Sequence, residues 1–355
     1  MSILHKSNVL LSKREIPFPF VGWVAVDEFE DLFSSLTGSR IVKARRPERS
    51  GLVGKIKDRL AGPYPSITDV DSGDLLLVVA RAPIDLQMLL AIPNVRKKFR
   101  YIAGYVIDSY YTENFPSITG AYDHIFSTTQ EGADTVRSRF RISSSVLAQG
   151  FDCLTWASLN ELRSIDIIGF GRQPPTYHHE FQRSFHTLGS QLLYLHSPIG
   201  NIKGGVVWEE RPMMLKLLQC SKLSLAFHLG LEPETVRPRA AYFVTSRWFE
   251  SLATGCIVVG KRPPGQMAKE LFPWSDALIE LPDEPRHASA VIADLAANTE
   301  FLRKTRARNV FEMTQRHDWR YRIRDIYTHF DLQLPPLLIE HLSSLENQRE
   351  ILRIA

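Results

Sequence analysis

The chain is predicted to be an α/β protein of two doubly wound domains, each a parallel sheet covered by helices. Three observations predict this. Its 355 residues, 44% hydrophobic and 23% charged, suffice for two cores of ordinary size. From residue 74 onward, short apolar runs alternate with amphipathic stretches, the strand–helix–strand order of parallel sheets. The alternation breaks once, at "FDCLTWASLNELR" (151–163), and restarts on a fresh apolar run. The domains are accordingly placed at 1–155 and 156–330, with 331–355 a C-terminal helix that packs back on the first domain. Ligands of open α/β sheets lie beyond the carboxyl ends of the strands, so the expected site is a central cleft that the two sheets face.

The segment before residue 60 is the least legible, with "IPFPFVGW" (16–23) read as an edge element. Strands of the first domain are "DLLLVVA" (74–80), "YIAGYVID" (101–108), "DHIFST" (123–128) and "SSVLAQG" (144–150). Those of the second are "SIDIIGF" (164–170), "QLLYLH" (191–196), "KLSLAFH" (222–228), "CIVVG" (256–260) and "ALIEL" (277–281). Continuous apolar runs of this length suit strands buried on both faces. Helices fall between them at "GADTVRSRF", "TYHHEFQRSFHTLG", "RPMMLKLLQC" and "SRWFESLATG", and "PPLLIEHLSSLENQREILRIA" reads as a terminal helix. There is no internal repeat or low-complexity tract.

The formal charge of +4 is mildly basic. It suits an anionic substrate and is compatible with peripheral contact with the inner membrane face. No Lys/Arg block is dense enough for nucleic acid; "KARRPER" (43–49) reads as a solvated loop. Cys153, Cys220 and Cys256 are odd in number and far apart, each among apolar residues, so buried reduced thiols are expected. The first residues lack the apolar core and cleavage site of a signal peptide, and no run reaches the ~18 apolar residues of a membrane span, which points to the cytoplasm.

Chemistry is expected where strands end. After "YVID", Asp108 is followed by Tyr110, Tyr111 and Glu113. Carboxylates beside rings suit a sugar, whose hydroxyls need acceptors and whose C–H face packs on aromatics; an Asp satisfying turn N–H groups is the equal alternative. Thr128 and Thr129 read as caps of the next helix. "GFGRQPP" places Gly169, Gly171 and Arg172 where close backbone approach and a cation would suit a phosphate, although the dinucleotide fingerprint is incomplete. "YHHEFQRSFH" lacks one-turn metal spacing and reads as a polar helix face. Arg237 and Arg239 lie in a polar insertion after "LSLAFH". In "SRWFESLATGCIVVG", Arg247 and Glu250 share a helix face, Phe249, Leu252 and Ala253 share the buried side, and Gly255 ends the helix with positive φ. A cation in the first turn, as at Arg247, opposes the helix dipole, so an anion is expected to offset it.

Taken together these stretches resemble the GT-B glycosyltransferases, most of all the spore-maturation-like and family-four-like branch. "VLAQGFDCL" (146–154) is similar to the Gly-hydrophobic-Asp turn that closes the first domain, through Gly150, Phe151 and Asp152. "SIDIIGFGRQPP" is similar to the opening strand and glycine loop of the donor domain, and "HDWRYRIRDIY" (317–327) to the late helix. "RWFESLATGCIVVG" is similar to the hallmark Glu-led helix followed by an apolar strand. The resemblance implies two Rossmann-like domains, acceptor side first and donor side second. It implies a hexosyltransferase that moves a sugar from a nucleoside-diphosphate sugar to an acceptor hydroxyl in polysaccharide or surface-glycan assembly. The acceptor would be a glycan, a lipid-linked molecule or a small molecule. No cofactor is implied, and no Asp-x-Asp is read as a metal-binding pair.

By the same resemblance Glu250 accepts hydrogen bonds from donor hydroxyls and Arg247 lies near the diphosphate; Arg172, and after it Lys203 and Arg239, are read from their charge as further cations for the leaving diphosphate beside Gly171. Asp108 serves as base or acceptor-positioning group, with Tyr110, Tyr111 and Glu113 beside it. One departure stands out: Tyr242 occupies the place, eight residues before Glu250, where many retaining members carry a second Glu. It weighs against a retaining assignment and leaves open a catalytically inactive relative that binds a nucleotide sugar or a partner.

Overall fold

The computed structural model describes residues 8–14, 23–45, 64–171, 173–196, 207–231 and 242–354. The chain divides into two units: the first holds Trp23–Gln149 and Arg322–Glu340 with the N-terminal segment, the second Gly150–Tyr321 and His341–Ala355.

In the first unit, apolar runs pair into a parallel sheet of order β2-β1-β3-β4-β5-β6. The strands are β1 (Val9–Ser12), β2 (Arg40–Lys43), β3 (Gly73–Ala80), β4 (Phe99–Val106), β5 (His124–Ser127) and β6 (Ser143–Val146). β1 joins β2 to β3 in register Leu10↔Ile41 and Leu10↔Leu77. The illegible N-terminal segment thus supplies a central strand, "VLLS", buried throughout. Four residues are too few to show a period, which is why pattern alone missed it. Helix α1 (Val24–Thr37) buries Phe29, Phe33 and Leu36 and stops at Gly38, whose φ of 67° few other residues adopt. Helix α2 (Gln130–Phe140) is capped by Thr129, whose Oγ1 accepts the Gly132 N–H at 3.1 Å.

The second unit holds a parallel sheet of order β11-β10-β9-β7-β8, from β7 (Ile165–Gly169), β8 (Tyr194–His196), β9 (Ser221–Phe227), β10 (Ile257–Lys261) and β11 (Leu278–Glu280). Its helices are α3 (Pro175–Phe185), α4 (Val207–Gln219), α5 (Ser246–Ala253), α6 (Pro285–Ala297) and α7 (Thr299–Arg316). Helices α8 (Trp319–His329) and α9 (Pro336–Ile354) complete the chain. Every stretch read as a strand from residue 74 onward contains one, although the strand ends at Val146 within "SSVLAQG" and begins at Tyr194 within "QLLYLH". In both sheets the strand order reverses beside the first strand, between β1 and β3 and between β7 and β9, so each unit has its own switch point for a ligand.

The break at 151–163 contains a single turn of helix, Cys153–Trp156, and then irregular chain. Here two of the resembling motifs meet. Phe151 N–H donates to His317 O (2.8 Å), Trp319 N–H donates to Phe151 O (3.1 Å), and a Cβ on Gly150 would come within 2.9 Å of His317 O. Cys153 and Cys256 are buried free thiols, as expected, while Cys220 is half-buried.

Candidate functional site

At the switch point of the second sheet, β7 ends in Gly169, and Phe170 and Gly171 turn away from it. Gly171 has φ 69°, and a Cβ there would lie 2.3 Å from Arg247 Nη2. The positive φ favours glycine here, and the absence of a side chain leaves room for the guanidinium to pack against the loop. Arg247, the second residue of α5, is half-buried and holds its guanidinium 5.3 Å above the Phe170 ring. The negative face of that ring supplies part of the compensation that a cation in a first helical turn needs. Loop and helix start, distant in sequence, are thus one surface.

One turn further along α5, Glu250 does not lie on a solvated face. It is 2% exposed, among buried Trp248, Phe249, Leu252 and Ala253. Its cation is Arg211 on α4, with Nη1 2.5 Å from Glu250 Oε1, rather than Arg247. Sequence reasoning missed Arg211, since an Arg directly before Pro212 in an amphipathic helix carries no mark of a partner 39 residues away. Gly255 ends the helix with φ 84°, as expected, and a Cβ there would reach 2.3 Å from Ser158 O. Tyr242 is 54% exposed. Arg172, Lys203, Arg237 and Arg239 lie outside the described residues.

The "YHHEFQRSFH" helix is corrected in one respect. His178 is buried, not part of a polar face, and its Nδ1 lies 2.9 Å from the Tyr194 hydroxyl, which donates to Gln173 Oε1 at 2.7 Å. Burial, and then the imidazoles of His196, His179 and His186, hold His178 below the ordinary histidine range. Among the described residues no group of three or more His, Cys, Asp or Glu is arranged to hold a metal ion. The triplet Asp69-Val70-Asp71 is an Asp-x-Asp in sequence, but both carboxylates pair with Arg40 on an exposed surface before β3.

In the first unit, Asp108 follows β4, its N–H bonded to Arg81 O at 2.8 Å. Burial pushes its carboxyl up to about 7, against a hydrogen bond from Tyr110 and helped by the nearby Asp85. The Tyr110 and Tyr111 rings lie 4.3 Å apart. Tyr110 is buried, Tyr111 half-buried and Glu113 exposed. Beside the switch point between β1 and β3 stands a charged cluster that the sequence did not disclose. Arg81 Nη2 donates to Asp27 Oδ1 (2.9 Å), Ser12 Oγ donates to Glu30 Oε2 (2.7 Å), and Arg14 Nε lies 3.4 Å from Glu30 Oε2. Lys13 pairs with Asp85 at 2.9 Å.

Burial raises the Glu30 carboxyl to about 8, with Asp27 adding to the effect and Ser12 and Arg14 opposing it. A carboxyl raised above its unfolded value near 4.5 adds stability in full below that value. The contribution is lost as pH rises through about 8. Glu30→Gln, which keeps the hydrogen-bonding shape without the charge, is expected to melt above wild type at pH 9 and to match it at pH 5. Equal melting shifts at both pH values would contradict this.

The two parallel sheets and their covering helices are those of a GT-B fold, and the comparisons agree. The resemblance read in the sequence holds as to the fold. Residues 178–328, which include α5 and β10, match the family described as "Glycosyl transferase-like". No curated protein matches the chain. Among solved structures, Anabaena HepE, in complex with UDP-glucose, is similar at 13% identity and TM-score 0.57, over 92% of this chain and 100% of that one. An alpha-glucosyltransferase, in complex with UDP-glucose and DNA containing an abasic site, is similar at 12% identity and TM-score 0.58 over the same shares. The N-terminal domain of Candida albicans trehalose-6-phosphate phosphatase is similar at 10% identity and TM-score 0.52, over 90% of this chain and 96% of that one. At these identities the likeness is one of fold.

Proposed function

We propose that this chain is a glycosyltransferase that takes a sugar from a nucleoside-diphosphate sugar and passes it to an acceptor hydroxyl. One observation carries the reading: the loop after β7 and the first turn of α5 converge on the Arg247 guanidinium, with Glu250 buried one turn beyond. Helix N–H groups and a guanidinium suit the charge that builds on a departing diphosphate, and a carboxylate suits vicinal ribose hydroxyls. Arg247 takes the diphosphate in this reading, joined by Arg172, Lys203 and Arg239. Asp108, with a pKa near neutrality, takes the proton of the acceptor hydroxyl, and Tyr110 and Tyr111 offer faces to the acceptor. The leaving charge is met by cations of the chain, so the transfer is proposed to be metal-independent. Retention remains the family expectation, with Tyr242 against it.

The proposed setting is polysaccharide or surface-glycan assembly by the spore-maturation-like branch, in the cytoplasm or at the inner membrane face. No described helix is long and apolar enough to cross a membrane.

Nucleotide release from a panel of nucleotide sugars tests the reading. Arg247→Ala and Glu250→Gln, the latter keeping an oxygen acceptor for buried Arg211, are each expected to leave a folded protein and lower kcat/KM for the donor by about tenfold or more, the worth of one hydrogen bond to a charged group. Wild-type turnover in both variants would reject it. Donor binding by calorimetry without turnover on any acceptor would instead favour the inactive relative that Tyr242 leaves open.

A further inference from the structure

Arg211 has no task in the reading above, yet its side chain is only 6% exposed and its partner Glu250 is 3% exposed. Removing two charges from water costs several kcal/mol per ion, and apolar residues of similar volume often serve stability as well. α5 also buries Trp248, Phe249, Leu252 and Ala253, so the pair adds an ionic contact to a helix already packed by apolar side chains. Its geometry is selective. Arg211 engages Oε1 at 2.5 Å, and Pro212 fixes the backbone immediately after it. A carboxylate offers about four acceptor positions, so a guanidinium on one oxygen sets the carboxylate plane and aims the other oxygen.

We propose that Arg211 is a positioning residue that makes the site selective for ribonucleotides, by fixing Glu250 so that Oε2 accepts from the vicinal ribose hydroxyls. This rests on the reading of Glu250 as a donor-site residue. A 2′-deoxyribose lacks one of the two donors and leaves a buried acceptor position unfilled, the arrangement that discriminates most strongly between analogues. A carboxylate free to rotate would make one good hydrogen bond to either sugar and discriminate little.

Calorimetric titration with UDP, 2′-deoxy-UDP, GDP and 2′-deoxy-GDP tests the proposal on the full chain. Wild type is expected to prefer the ribose form of whichever base it binds by about tenfold or more. Arg211→Met, with its fold checked by circular dichroism, is expected to bring that ratio to within about twofold of one, by weakening the ribose form alone. Arg211→Lys, which keeps the charge but not the rigid fork, is expected to fall between. A merely structural pair would shift melting and both affinities together and leave the ratio alone. A folded Arg211→Met with the wild-type ratio overturns the proposal. Should that variant not fold, an unchanged ratio in Arg211→Lys overturns it equally. Wild type that binds a nucleotide with no ribose preference overturns the proposal, whereas wild type that binds none of the four counts against the donor-site reading itself, so the wild-type titration separates the two failures.

Discussion

Asp108→Asn is expected to lower kcat by about 10²–10⁴-fold, the usual worth of a positioned general base, with little change in donor KM. Burial raises the Asp108 carboxyl to about 7, with Asp85 adding and Tyr110 opposing. A base must be deprotonated to act. The wild-type rate should therefore fall as pH drops through about 7 and level off above it. In Asp108→Asn the residual rate should lose that acidic limb. Tyr110→Phe removes the hydrogen bond that opposes the rise, so the limb should move to higher pH with kcat at its plateau largely kept. A wild-type profile flat from about pH 5 to 9, with the Asp108→Asn variant as active as wild type, would remove Asp108 from the chemistry. Stability could mimic the effect, since a carboxyl that titrates near 7 also couples folding to pH; melting curves at each pH keep the two apart.

Asp318→Ala is expected to destabilise the second unit by about 3–5 kcal/mol, the cost of breaking a buried ion pair from one side. Asp318 is fully buried, and its Oδ2 accepts the N–H groups of Cys153 (2.8 Å) and Leu154 (3.2 Å). Its Oδ1 accepts from Arg320 N–H at 2.8 Å and from Arg320 Nη1 at 3.0 Å. The same guanidinium reaches Asp152 Oδ1 at 2.7 Å and His341 Nδ1 at 3.0 Å. Alanine would leave three backbone donors without their acceptor and the buried Arg320 guanidinium with Asp152 as its one remaining carboxylate among these contacts. Glu300→Ala, in an exposed i,i+3 pair with Arg303, is the control and should leave the denaturant midpoint close to wild type. Denaturant midpoints for the two variants check the contrast, and a loss below about 1 kcal/mol in Asp318→Ala would show the network to be dispensable.

Much of this protein was legible because its strands are long, apolar and punctuated. "DLLLVVA" and "CIVVG" are short continuous apolar runs that suit strands buried on both faces, and the helices between them show their buried side plainly. The glycine at 255 announced positive φ and has it, and Gly171, read only for close backbone approach, has it as well. "VLLS" was not legible, because four apolar residues look alike in a strand, a helix or a loop until neighbours pair with them. The burial of His178 and the pairing of Glu250 were hidden for a related reason. Polar residues look solvated in sequence, and only a partner brought from elsewhere makes their burial tolerable. Arg14, Asp27, Glu30 and Arg81 gather beside one switch point from three separate stretches, and nothing local foretells that.

What the amino-acid order determined by itself is therefore the two parallel sheets, the break between them, and the Arg-x-x-Glu helix placed before an apolar strand. Each depends on periodicity, punctuation and backbone preference, which act over a few residues. Tertiary structure alone decided that Arg247 rests against Gly171 and Phe170, that Glu250 meets Arg211, and that the carboxyls of Glu30 and Asp108 titrate far from their usual range. Electrostatic and desolvation effects depend on distance in space, and the chain sets that distance only once it has folded.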